Sequence, residues 1–113
     1  VLIAIGFNDM SYYPGITNQY INKYTQFAED NSSHNIIITP VLALDESKSS
    51  FTTNEKIKSF NDDIKTKLEN ISNISYCNIY DKVPSSLTGS DGIHYTSSIY
   101  QQIYEYLTEE CLE

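Results

Sequence analysis

Asp91-Gly92-Ile93-His94 sets a carboxylate three residues before an imidazole in a polar loop. At that spacing the aspartate can accept from one ring N–H and fix the tautomer, which leaves the second ring nitrogen to take a proton as a general base. Far upstream, Gly6-Phe7-Asn8-Asp9 follows an apolar run, and a side-chain amide in the position of Asn8 could donate to an oxyanion developing on a substrate carbonyl. Singly, each signal is weak, because Asp, Asn and His also populate turns for reasons of local hydrogen bonding. Tyr12 and Tyr13, in the same first loop, are candidates for stacking against a carbohydrate or other small-molecule ligand. Neither GxGxxG nor GxxxxGK[ST] occurs, so no dinucleotide fingerprint or phosphate loop is present. No His, Cys or carboxylate group has metal-ligand spacing, and no cofactor is indicated.

These residues need a frame to bring them together. Residues 1–5 (VLIAI) are apolar and β-branched, the pattern of a strand buried on both faces of a parallel sheet. From Thr17 the residues Tyr20, Ile21, Tyr24, Phe27 and Ala28 recur at helical spacing until Asn31-Ser32-Ser33. Residues 35–44 read as a second strand in which Pro40 marks a bulge or the exit. Thr52 and Glu55 have capping-box spacing ahead of a helix over about 53–70, striped by Ile57, Phe60, Ile64, Leu68 and Ile71. Residues 74–80 give a third strand, and Ile99, Ile103, Tyr104 and Leu107 align on a last helix. The order β-α-β-α-β-α predicts an α/β fold over residues 1–113, with a parallel sheet and helices on both faces. In such sheets ligands bind beyond the carboxyl ends of the strands, where loops 6–15, 45–52 and 81–94 converge.

Composition narrows the partners. Lys and Arg number 7 against 15 Asp and Glu, a formal charge of −8, which argues against nucleic acid and anionic membrane surfaces. The longest apolar stretch, residues 36–44, falls short of the roughly 20 residues that span a bilayer. Cys77 and Cys111 are too few for a disulfide scaffold and lack CxxC spacing, so two buried thiols are expected. The sequons at Asn31, Asn70 and Asn73 are expected by chance in a chain rich in Asn and Ser. His34, between a helix end and a strand, is explained by a charge-to-dipole contact.

Taken together and in this order, "VLIAIGFND" and "SDGIHYTSSIYQQI" resemble two blocks of the SGNH (GDSL-like) hydrolases, namely a strand followed by Gly-x-Asn-Asp, and Asp-x-x-His before a helix. "NEKIKSFNDDIKTKL" and "YCNIYDKV" resemble that family's penultimate helix and strand, so the resemblance covers the chain but only the C-terminal portion of the family's domain. It implies a flavodoxin-like sandwich and an esterase or lipase in which His94 is the base, Asp91 orients it and Asn8 donates to the oxyanion. Gly6 would shape the turn presenting Asn8, Asp9 matches the block without a certain role, and both are expected with Tyr12 and Tyr13 among the substrate-binding residues. The substrate implied is a small-molecule or carbohydrate ester, including acetyl esters, and export is a common property of such polymer-directed enzymes.

The family's nucleophilic Ser and a glycine of its second block that donates to the oxyanion belong to blocks preceding the one that matches Val1. Ser11, Ser85, Ser86 and Ser90 lie near the candidate site, but none follows a buried strand in a sharp turn as an activated nucleophile does. The 113 residues alone are therefore expected to be nearly inert as an esterase. The apolar start at Val1 suggests a piece of something longer. The rival expectation is a non-catalytic binding or assembly module on the same scaffold, associating with itself or with an N-terminal fragment through the edge of the strand from Val1 to Ile5. A flavodoxin-like or receiver-like domain would need a phosphate or cofactor loop that the chain lacks.

Overall fold

The computed structural model describes residues 2–111. Three strands, β1 (Leu2–Ile3), β2 (Ile36–Ile38) and β3 (Ile74–Tyr76), form a parallel sheet in the order β1-β2-β3. Three helices follow them, α1 (Thr17–Asp30), α2 (Asn54–Leu68) and α3 (Ser97–Cys111). The α/β class and the element order are as the sequence pattern predicts.

The period of two along β2 builds two cores. Ile36 and Ile38 are 1% exposed and pack with Tyr24 and Ala28 of α1 and Ile57, Phe60 and Ile64 of α2. Ile37 turns the other way and packs against a second cluster containing Ile103 of α3. On α3, Ile99 and Leu107 join that cluster, whereas Tyr104, expected on the same stripe, is 62% exposed.

Strand β1 is shorter and more open than its composition predicts. Leu2 of β1 is 38% exposed and Ile5, beyond the end of the strand, is 56% exposed; among the described residues β1 pairs with β2 alone and so forms an edge, and Val1 lies outside the described residues. Pro40 does mark a strand exit, since β2 ends at Ile38. What holds the chain beyond it is a pair of side-chain amides on α2. Asn61 accepts from the Val41 N–H and donates to the Val41 carbonyl, each at 2.9 Å, and Asn54 does the same for Leu44 at 2.9 and 2.8 Å. Seven helical residues rise about 10.5 Å and three extended ones about 10 Å, so two asparagines two turns apart can pair this short segment as a neighbouring strand would.

Two sequence expectations shift locally. The N-cap of α2 is Thr53, whose hydroxyl accepts from the Lys56 N–H at 3.2 Å; Thr52 lies one residue before it and is buried. Cys77 and Cys111 are not separate thiols but a disulfide joining the segment after β3 to the end of α3. Their Cα atoms lie 5.7 Å apart, within the span a disulfide needs, which a spacing of 34 residues in sequence does not reveal. Among the sequons, Asn73 is committed to the fold, its amide donating to the carbonyls of Ala28, Asn31 and His34 at the end of α1.

Candidate active site

The loop after β1 starts at Gly6, whose φ of 122° suits glycine. A Cβ there would also lie 3.1 Å from Val41 Cγ2, so the residue is fixed by both conformation and space. The turn sends residues 7–12 into a 3-10 segment with Asn8 exposed at its start. Asp9, expected among the substrate-binding residues, accepts from the Tyr20 hydroxyl at 2.5 Å and so ties this loop to α1. Burial, aided by that carboxylate, pushes the Tyr20 phenol well above its ordinary range.

The Asp91–His94 pair is formed. Asp91 Oδ2 lies 2.5 Å from His94 Nδ1, while Oδ1 accepts from the Ile93 and His94 backbone N–H groups, both at 2.9 Å. The imidazole hydrogen bond, followed by those backbone bonds, holds the Asp91 carboxyl well below the usual carboxylate range. The pair therefore keeps its anion at acidities where a free aspartate near pKa 3.9 would be taking up a proton. With Nδ1 engaged, Nε2 of the exposed His94 ring is the nitrogen left for proton transfer.

Three further contacts, none visible as a motif, position this loop. Gly89 N–H donates to His94 O at 2.6 Å, closing residues 89–94 on themselves. Tyr95 is 9% exposed; its hydroxyl donates to Ala43 O at 2.8 Å, and burial pushes its pKa up to about 12. The loop after β2 presses against the same segment, with the Asp45 N–H donating to Gly92 O at 2.7 Å. At its far end Phe51 stacks on Phe7, ring centroids 5.3 Å apart. Residues 45–51 thus touch the Asp91–His94 loop on one side and the Asn8 loop on the other. No periodic pattern marks Tyr95, Asp45 or Phe51, since each sits outside a helix or strand.

Gly92 is the tightest point of this junction. Its φ is 73°, and a Cβ there would fall 2.7 Å from Lys48 Cβ and 2.9 Å from Asp45 O. Gly92→Ala is expected to destabilise the protein by about 1–3 kcal/mol, through left-handed backbone strain and the displaced loop. Chemical denaturation checks this; an unchanged midpoint would mean the two loops do not press together.

Asn8, Asp9, Gly6 and His94 all line one cleft of about 800 Å³ at the carboxyl ends of β1 and β2. Tyr12 and Tyr13 do not line it. Tyr13 instead packs edge-on against Phe60 in the core, with centroids 6.4 Å apart, and Tyr12 is 69% exposed to solvent. His34, near Ser33 Oγ at 3.3 Å, is exposed at the end of α1. Among the described residues no group of three or more His, Cys, Asp or Glu could hold a metal ion.

A solved structure from Streptococcus pneumonia, provisionally described as a platelet activating factor, superposes on 96% of this chain with a TM-score of 0.83 at 19% sequence identity. The two chains share a fold. The chain spans 57% of that structure's length. No family model matches the sequence, and no curated protein matches it. No helix among the described residues is long and apolar enough to cross a membrane.

Proposed function

We propose that this chain is the acid-base half of an SGNH-like serine esterase with a flavodoxin-like sandwich, acting on acyl esters. The observation that carries the reading is the 2.5 Å Asp91–His94 contact opening on the cleft that Asn8 also lines. The nucleophile is a serine of polypeptide outside these 113 residues. His94 Nε2 takes the serine hydroxyl proton as Oγ bonds to the ester carbonyl carbon, and Asn8 donates to the resulting oxyanion. Collapse breaks the bond to the alcohol oxygen, which receives the proton from His94 and leaves. Water then attacks the acyl-serine, gives its proton to His94, and the acid departs as that proton returns to Oγ. Asp91 holds the imidazole throughout without itself becoming protonated. The Cys77–Cys111 bridge is in keeping with an oxidising compartment.

The test is to expose the longest natural form of the protein to a fluorophosphonate probe and locate the adduct by mass spectrometry. An adduct on a serine outside residues 1–113, lost in His94→Ala with the fold retained, is the expected result. An adduct on Ser11, Ser85, Ser86 or Ser90 would relocate the nucleophile. Absence of any adduct in the folded protein would favour a second reading, an assembly module, for which the exposed Leu2 on the β1 edge and the exposed Ile5 just beyond it speak. That reading requires self-association or capture of an N-terminal fragment, and light scattering showing a clean monomer at high concentration would count against it.

A further inference from the structure

The cleft's chemistry bears on which esters fit it. Among the described residues that line it there is no lysine or arginine, and the Asp9 carboxylate is occupied by Tyr20. An anionic substrate group would find no lysine or arginine to pair with there. The lining is mostly apolar, and beside Asn8 it is aromatic: Phe7 and Phe51 stack at 5.3 Å with 18° between their planes, and Phe51 remains 41% exposed. An exposed phenyl ring held in a stack offers a fixed apolar wall at little conformational cost.

The positions of the donor and the base constrain how an ester meets that wall. The carbonyl oxygen must reach the Asn8 amide, and the leaving alkoxide must reach His94 to be protonated. The alcohol portion therefore points toward the exposed His94 loop. The acyl portion leaves the carbonyl carbon in a third direction, away from the alcohol, and the wall of Phe7 and Phe51 borders the cleft at the Asn8 loop.

We infer that Phe51, stacked on Phe7, forms an acyl subsite that selects neutral esters with an apolar acyl chain longer than acetyl. This inference rests on the esterase reading above. Each methylene fully buried is worth about a fourfold gain in binding. Across the four methylenes separating hexanoate from acetate, a partly enclosed wall should yield a preference of about tenfold or more.

The experiment measures kcat/KM for p-nitrophenyl acetate and hexanoate with the longest natural form, after the fluorophosphonate adduct has been scored. The expected result is the hexanoate preference in the native protein, its collapse toward unity in Phe51→Ala, and partial retention in Phe51→Leu. An adduct without chain-length preference, or a preference unchanged by Phe51→Ala, overturns the subsite and leaves the esterase reading standing. A stronger preference along an alcohol series, ethyl against hexyl acetate, would put the apolar wall on the other side and overturn it too. If no adduct forms, the esterase reading has failed, and binding of N-methylhexanamide is followed on the phenylalanine ring resonances. Saturable binding lost in Phe51→Ala upholds the apolar subsite, and no binding overturns it.

Discussion

Asp91→Asn in the longest natural form of the protein is expected to lower kcat toward esters by about 10⁴-fold while leaving the fold in place. The asparagine side-chain oxygen can still accept from the Ile93 and His94 N–H groups, so the loop keeps the bonds that shape it. Its NH2 group then faces Nδ1 where a carboxylate oxygen had been, and a donor there requires Nδ1 to become an acceptor. The ring proton moves to Nε2, which can no longer take a proton from a nucleophile. The result is a folded protein with the wrong tautomer, detectable in the ring nitrogen shifts of His94 alongside steady-state kinetics. Turnover within tenfold of the native protein would remove Asp91 from the proposed mechanism.

Removing the Cys77–Cys111 bridge is expected to cost about 4 kcal/mol of stability, because cross-linking residues 34 apart restricts the unfolded chain by an amount that grows slowly with loop length. For a domain of this size that is on the order of 15 °C in melting temperature. Thermal unfolding with and without reductant, repeated on Cys111→Ser, gives the value. The site should feel the change as well, since Ile103 and Leu107 of the tethered helix line the cleft. Coincident melting curves in the two conditions would show that the bridge does not constrain this chain.

Asp91 and His94 are legible in the sequence because a three-residue spacing lets the aspartate close locally on both the imidazole and the loop's own N–H groups. Asn8 is picked out by its place after an apolar run that ends in Gly6, whereas the positive φ of that glycine is seen only in the structure. The helices are legible too, as stripes such as Ile57, Phe60 and Ile64 register burial at each turn. Residue type and close spacing fix these local features and, with them, the α/β order.

Packing sets what depends on distances between segments remote in the chain. It joined Cys77 to Cys111, put Tyr13 into the core against Phe60, and left Tyr104 and β1 exposed. It replaced a sheet ladder at residues 41–44 with Asn54 and Asn61, whose amides find the Leu44 and Val41 backbone only once α2 has packed. It also set Phe51 beside Phe7 and Gly92 beneath Asp45, so that one loop braces both halves of the candidate site. A residue's own type and near neighbours set helix, turn and local hydrogen bond, whereas these contacts exist only after the apolar faces of β2 have drawn α1 and α2 to one side and α3 to the other.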